Sequence, residues 1–270
     1  MSEIEIIVLD IDGGPMLEEC IASLRSQTVS ARIVVFDNGS RQPVRVEGAD
    51  VIRSETNLGF AGGANAAWRL TTAPYVALVN NDVVLQPDWL THVRAALDRD
   101  EHLAAVQTII RRTDGLIDGA GIDISDGTFR QIGHGLPVGS PLAVAWGVSA
   151  TATLYRRAGV VSAGGDSLFN EHFFAYYEDV ELSARLKAAG WRTAVLPVVK
   201  ATHRGSQSAS VLGGDALRLR TRNRYFVARM HPGVGRVGAL LWEDAKLLLR
   251  GRASLRGIVQ GLVRAINDER

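Results

Sequence analysis

The chain is short of several things. It has a single cysteine, Cys20, and one thiol closes no intramolecular disulfide, so a disulfide scaffold is excluded. Cys20 shares the apolar phase of an expected helix with Leu17, Ile21 and Leu24, which reads as a buried structural thiol and not a nucleophile. No apolar run approaches the roughly 18 residues of a membrane-spanning helix. The start, Met1 to Val8, lacks the basic and long apolar regions of a signal peptide. The expectation is a cytoplasmic protein, or one peripheral at the cytoplasmic membrane face. Excess charge of one sign is also missing: 30 Lys+Arg stand against 29 Asp+Glu, a net +1, which argues against a strongly basic nucleic-acid binder. Internal repeats and low-complexity segments are absent.

The 270 residues, 46% of them hydrophobic and 22% charged, suffice to bury a core and are neither disordered nor collagen-like in composition. The length allows one large α/β domain or two modest ones. The even charge total conceals an asymmetry. From Asp215 onward 12 Arg/Lys stand against 5 Asp/Glu, a net +7, which leaves 18 basic and 24 acidic residues, a net −6, in residues 1 to 214. An acidic body with a basic tail suggests a cation for the first and an anionic or membrane partner for the second.

Short apolar runs at Ile4 to Leu9, Arg32 to Phe36, Asp50 to Arg53, Tyr75 to Val79, Ala104 to Ile110, Val144 to Tyr155 and Thr193 to Val199 read as strands. Between them, helices are expected up to about Gln27, through Ala66, Ala67, Trp68 and Leu70 after a glycine-rich loop at Asn57 to Asn65, from Pro87 to Arg99, and from Asp179 to Ala189, where Gly190 closes the last. Strands alternating with helices imply a parallel sheet. Ligands of such sheets bind outside the carboxyl ends of the strands, and Asp10, Asp37 and Asp82 all fall at that edge. Arg111 to Pro141 reads as loops and short strands that shape an acceptor pocket. Beyond Gly214, arginines alternate with Leu217, Leu219 and Thr221; on a helix this spacing spreads them around the surface, and on an extended segment it puts them on one face. Two further helices are expected at Leu240 to Arg250 and Ser254 to Ile266.

Five blocks stand in order: Asp37-Asn38-Gly39-Ser40; Asn57-Leu58-Gly59-Phe60-Ala61-Gly62-Gly63-Ala64-Asn65; Asn80-Asn81-Asp82; Phe173-Phe174-Ala175-Tyr176-Tyr177-Glu178-Asp179-Val180-Glu181-Leu182; and His203 with Arg222-Asn223. Together they resemble the inverting family 2 glycosyltransferases with a GT-A fold, and within them the bacterial rhamnosyltransferase-like branch. The resemblance spans roughly residues 4 to 230. It implies an α/β, Rossmann-like, mostly parallel central sheet flanked by helices. A GT-A domain would cover 1–214, with a donor half to about 110 and an acceptor half beyond, followed by a basic helical C-terminal extension, 215–270.

The implied reaction is transfer of a sugar, rhamnose or another deoxyhexose being candidates, from a dTDP-, UDP- or GDP-sugar to an acceptor hydroxyl. The acceptor would be a lipid-linked glycan or a small molecule. A departing diphosphate needs a divalent cation or fixed positive charge. Asn80-x-Asp82 stands where the family carries Asp-x-Asp, so Asp82 would ligate Mg²⁺ or Mn²⁺, with His203 completing the shell and Asn80 contacting the ribose or a metal-bound water. Asp37 would bind the nucleotide base, although an Asx-turn satisfies it locally. Asn57, Gly59, Gly62 and Asn65 would form the donor-side loop, whose glycines allow close backbone approach. Arg222 or Arg224 would neutralise the pyrophosphate.

By the same resemblance Asp179, in the acidic pair with Glu178, is the general base. Its place in the first turn of a helix, at the positive dipole end, suits an ionised carboxylate, though acids at helix starts also occur as mere stabilisers. Trp146, Tyr176 and His172 are acceptor-side candidates, and the C-terminal helices would meet a membrane or a second copy. Two departures stand out: Asp10-Ile11-Asp12 replaces the family's Thr-Tyr-Asn, and Gly164-Gly165-Asp166-Ser167-Leu168-Phe169 alters its Gly-Gly-Phe-Asp. Both lie in recognition regions; Asn80 and Asp10-Ile11-Asp12 keep open a catalytically lapsed nucleotide-binding subunit, against which stand Asp82, Glu178, Asp179 and His203. A sugar nucleotidyltransferase fits less well, because acid at Asp10-Ile11-Asp12 would repel a triphosphate.

Overall fold

The computed structural model describes residues 2–205 and 214–267. Strand β1 (Ile4–Asp10) is buried along its whole length, and its side chains alternate between two apolar layers. Ile4, Ile6 and Val8 face a layer containing Leu17, Cys20 and Leu24 of helix α1 (Pro15–Arg25) and Trp89, Leu90 and Val93 of helix α3 (Trp89–Arg99). Ile7 and Leu9 face the opposite layer, with Ala61, Ala64 and Trp68 of helix α2 (Gly59–Arg69) and Leu182 and Leu186 of helix α5 (Glu178–Ala188). A strand buried on both faces reads as a near-continuous apolar run, and β1 is one interrupted only by Glu5, whose buried carboxylate accepts from Arg32 and from the Thr72 and Ala73 amides.

The remaining strands of the main sheet are β2 (Arg32–Asn38), β3 (Asp50–Ser54), β4 (Tyr75–Asn80), β5 (Val83–Leu85), β6 (Leu103–Arg112), β7 (Ile117–Gly119), β10 (Ala152–Arg156) and β11 (Arg192–His203). Their order is β3-β2-β1-β4-β10-β6-β11-β5, with β7 pairing β6. The β3, β2, β1 and β4 neighbours are parallel, as are β6 and β11, while β10 runs antiparallel to both β4 and β6 and β5 antiparallel to β11. Two short strands, β8 (Ile122–Asp123) and β9 (Arg130–Gln131), form a separate hairpin. A short helix α4 (Arg157–Ser162) follows β10.

The strand expected over Val144 to Tyr155 begins only at Ala152. The preceding backbone spends its donors on side chains: the Ser149 amide donates to Gln107 Oε1 at 2.6 Å and the Ala150 amide to Asp179 Oδ2 at 3.3 Å. A ladder needs those groups free, so the segment stays irregular. Strand β11 conversely runs on through His203 itself. Helix α6 (Gly214–Met230), which carries the alternating arginines, is helical and is followed by α7 (Val237–Leu248) and α8 (Leu255–Asn267). Helix α6 is tied to the body by Phe226, which meets Phe173 edge-on at 6.2 Å. Among the described residues no helix is long and apolar enough to cross a membrane.

Candidate active site

Pairing sets the site. Asp10 lies opposite Asp37 across β1 and β2, and Leu9 opposite Asn80 across β1 and β4. The acidic ends of three parallel strands therefore converge. Each carboxylate has assigned partners. Asp37 is fully buried; its Oδ1 accepts from the Ser40 amide at 3.0 Å, and its Oδ2 from the Val44 amide at 3.1 Å and from Arg53 at 2.7 Å. Burial works to raise its pKa, but these donors win and hold it below the usual carboxylate range. Its expected contact with a base is thus matched by an internal network centred on Arg53. Asp10 accepts from Asn81 Nδ2 at 2.6 Å and from the Gly13 amide at 2.7 Å. Burial nevertheless pushes it up.

Beside this edge, the β5–β11 register sets His203 opposite Val83, next to Asp82. His203 Nε2 lies 3.1 Å from Asp82 Oδ2, and its Nδ1 lies 2.8 Å from Asp118 Oδ2. Burial opposes the imidazolium, yet Asp118 and Asp82 outweigh it and raise His203 to about 10. The second oxygen of Asp82, Oδ1, is buried without a partner among the described residues, and so is Asn80 Oδ1. Two oxygens that ought to be satisfied, next to an imidazole already oriented through its far nitrogen by a carboxylate, suit a divalent cation of the Mg²⁺ or Mn²⁺ kind, whose binding would displace the His203 Nε2 proton. Among the described residues no group of three or more His, Cys, Asp and Glu forms a ready cage.

The acidic pair opens α5, with Glu178 and Asp179 in its first turn. Asp179 Oδ1 accepts from the Val180 amide at 2.8 Å and Oδ2 from the Ala150 amide at 3.3 Å. One residue on, the Thr151 carbonyl accepts from the Asn80 amide at 2.9 Å. A single short segment therefore ties the acidic pair to the end of β4. Burial raises Asp179 to about 6, and burial together with the neighbouring Asp179 raises Glu178 well above its ordinary value. Glu178 Oε2 has no partner among the described residues.

Leading into the pair is a strained turn. Phe174, Tyr176 and Tyr177 all have positive φ, at 62°, 71° and 70°, a conformation that costs bulky residues about 1–3 kcal/mol each. The turn is held from α6. Asn223 Nδ2 lies 2.9, 2.8 and 2.8 Å from the carbonyls of Phe173, Ala175 and Tyr176. Arg222 Nη2 donates to the His172 and Phe173 carbonyls at 2.9 and 3.0 Å, and Arg222 Nε donates to Asn223 Oδ1 at 2.8 Å. Arg222 thus braces the acidic turn, where the sequence reading had it neutralising a pyrophosphate. Arg224 is likewise committed inward, to Asp244 and to Glu243 at 2.7 Å.

A model of the family described as "Glycosyl transferase family 2" matches residues 5–159. The chain belongs to this family. It is 26% identical over 290 residues to the N-acetylglucosaminyl-diphospho-decaprenol L-rhamnosyltransferase of Mycobacterium tuberculosis, covering 93% of this chain and 90% of the relative. It is also 26% identical over 227 residues to the uncharacterized protein y4gI of Sinorhizobium fredii, covering 76% of this chain and 25% of that one.

Solved structures of similar shape include S. aureus TarS 1-349 in complex with UDP-GlcNAc, at 17% identity and TM-score 0.60, with 84% of this chain and 64% of that one covered. Another is the mannosyltransferase PcManGT from Pyrobaculum calidifontis in complex with GDP-Man and Mn²⁺, at 16% identity and TM-score 0.61, with 100% and 81% covered. At such identities the likeness is one of fold, and the fold is GT-A.

In this glycosyltransferase the glycine-rich block packs inward. Asn57 Oδ1 accepts from the Gly59 amide at 2.8 Å, and Asn65 pairs with the Phe169 backbone through both ends of its amide, at 2.8 and 2.9 Å. Gly59, at φ 76°, lies so close to Phe174 that a Cβ there would meet its carbonyl oxygen at 2.6 Å. Gly59, Gly62 and Asn65 are buried, so the block seats α2 against the acidic turn. That explains its glycines without a bound donor. Trp146 packs with Ile122, Phe173 and Val180 beneath Lys187. Tyr176 lies under Arg220, 4.4 Å from the guanidinium, and its buried hydroxyl has no partner. His172 is exposed. Asp118, Arg53 and Asn223 also contribute to the site, and their partners lie far along the chain from them, so no local pattern marks their roles.

Proposed function

We propose that this glycosyltransferase is inverting and metal-dependent, moving a deoxyhexose such as rhamnose from a nucleotide sugar to a hydroxyl of a lipid-linked acceptor. The observation that carries the mechanism is the acidic pair. Glu178, deeply buried and raised further by its neighbour, keeps its proton and leaves Asp179 as the ionised member. With its pKa near 6, Asp179 is ionised at neutral pH yet more basic than an ordinary aspartate, the compromise a general base needs.

Asp179 takes the proton from the acceptor hydroxyl as that oxygen bonds to the anomeric carbon. The bond to the diphosphate breaks on the opposite face, and its electron pair leaves with the nucleotide. Asp82 and His203 would hold the divalent ion, with the Asn80 oxygen toward the ribose or a bound water. Asp118 would keep the His203 Nδ1 proton so that Nε2 faces the ion. The ion, when bound, supplies positive charge to the departing diphosphate.

The M. tuberculosis relative, named for a decaprenyl diphosphate acceptor and L-rhamnose, supports this choice of donor and acceptor class. The nucleotide complexes of the structural neighbours support a nucleotide-sugar donor. The test is a panel of dTDP, UDP and GDP sugars with Mg²⁺ or Mn²⁺, reading nucleotide release with and without chelator. Release from one donor class, lost on chelation, is expected. Binding without turnover across the panel would mean a lapsed nucleotide-binding subunit.

A further inference from the structure

Exposed large apolar side chains collect on the last two helices. Trp242 is 68% exposed, Leu249 90% and Leu255 65%, and Leu241, Val259 and Val263 are also exposed. Leu255, Val259 and Val263 recur at i, i+4 and i+8, which makes one stripe along α8. The opposite side of α8 is fixed: a Cβ at Gly257 or Gly261 would meet the Arg218 or Arg222 carbonyl at 2.6 or 2.7 Å. Helix α8 thus lies backbone against backbone on α6 and turns its apolar stripe outward. Helix α7 likewise buries Leu240 and Asp244 and leaves Leu241 and Trp242 outside.

The exposed charge on these two helices is mostly basic. Residues 236–263 hold Arg236, Lys246, Arg250, Arg252 and Arg256 against two acids, Glu243 and Asp244. Both acids are engaged inward, Glu243 with Arg224 and Arg130 and Asp244 with Arg224 and the Tyr225 hydroxyl at 2.6 Å, while Asp126 and Asp215 lie at the edge of the face, paired with Arg130 and Arg218. Arg250, Arg252 and Arg256 are exposed and make no salt bridge among the described residues. Lys246 lies over Trp242, 4.6 Å from the ring.

We infer that α7 and α8 form a surface that seats the enzyme on an anionic lipid bilayer, the apolar side chains entering the interface and the arginines meeting lipid headgroups. A second copy fits less well. A two-fold interface sets a patch against itself and would bring the exposed Arg250, Arg252 and Arg256 of both copies together, whereas an anionic bilayer complements both components. The inference rests on the lipid-linked acceptor proposed above, and it deepens that reading by placing the acceptor's membrane beside the helix bundle that braces the acidic turn.

The test is co-sedimentation of the full chain with phosphatidylcholine vesicles, with and without phosphatidylglycerol. Binding is expected only to the anionic vesicles and is expected to fall as salt rises. At about fivefold per arginine, the triple variant Arg250→Gln/Arg252→Gln/Arg256→Gln binds roughly a hundredfold more weakly. Trp242→Ala/Leu249→Ser weakens binding without changing its salt dependence. Lipid-free, metal-dependent nucleotide release stays at the wild-type level in both variants, which also shows that they fold. No binding to anionic vesicles overturns the inference, as does a dimer dissociated by the same substitutions. Failed vesicle binding with intact nucleotide release defeats the surface alone; intact binding with no release defeats the proposed reaction alone.

Discussion

Replacing Asn223 tests whether the acidic turn is held from α6. Its amide has one possible orientation, because reversal would aim oxygen at three carbonyls. Two N–H groups serve those three carbonyls, and the oxygen takes a bond from the charged Arg222 Nε. At about 1 kcal/mol for each neutral bond and about 1.5–3 for the charge-assisted one, Asn223→Ala removes roughly 3–5 kcal/mol from this corner. The positive-φ backbone at Phe174, Tyr176 and Tyr177 stores a comparable energy, on the order of 1–3 kcal/mol per residue. Without the amide the turn relaxes, and Glu178 and Asp179 move with it. Displacing a reacting group by about 1 Å costs on the order of a hundredfold in rate.

The expected result is therefore a kcat about a hundredfold lower, with the donor KM within threefold and a melting temperature lower by on the order of 10 °C. Asn223→Asp keeps the shape but turns a donor into an acceptor before three carbonyls, so it should be at least as damaging as alanine. Steady-state kinetics and thermal denaturation on both variants check this. A kcat within threefold of wild type in either variant would refute the bracing role.

Two further predictions concern the reaction itself. Asp179→Asn lowers kcat by about 10²- to 10⁴-fold and leaves nucleotide affinity, read by calorimetry, unchanged. Wild-type turnover falls as pH drops through about 6, where Asp179 takes up a proton. The stability effect has the opposite sense: a carboxyl raised in the fold favours the folded state below its unfolded value and loses that advantage as pH rises through about 6. Melting curves at neutral pH should therefore find Asp179→Asn at least as stable as wild type. Asp118→Asn, which alters the orienting partner of His203, should raise the metal concentration for half-maximal activity by about 10- to 100-fold while leaving the rate at saturating metal within threefold; an unchanged requirement would sink the orienting role.

Local pattern carried most of the fold. The near-continuous apolar runs of β1 and β4 announce strands buried on both faces, and Pro15, Leu17, Ile21 and Leu24 mark α1. The limits of local pattern show in the segment before β10, where apolar composition resembles a strand but the amides of Ser149 and Ala150 bond to Gln107 and Asp179. Those partners lie 42 and 29 residues away, and no window of neighbouring residues contains them. Asp118 was hidden for the same reason. It stands in a glycine- and aspartate-rich stretch with no periodicity, 85 residues before His203, and only the pairing of β7 with β6 and of β6 with β11 brings the two together.

The arginines of α6 turn on a different point. Their i, i+2 alternation was compatible with a strand, where they would share one face and could clamp one diphosphate together. On the helix that forms, a step of about 100° per residue separates Arg222 from Arg224 by about 200°. They are driven to opposite sides: Arg222 reaches the carbonyls of the acidic turn, and Arg224 reaches Glu243 and Asp244 on α7. Both are buried, so their positive charge is offset within the protein, by carbonyl dipoles in one case and by carboxylates in the other. Neither arginine is therefore directed at a diphosphate, and the Asp82 and Asn80 oxygens at the end of β4 have no partner among the described residues, which supports the cation proposed for that place. The basic tail that balances the acidic body in the charge count thus serves structure through Arg222 and Arg224, and it presents exposed arginines at Arg220 beside the acidic turn and on the outer face of α7 and α8.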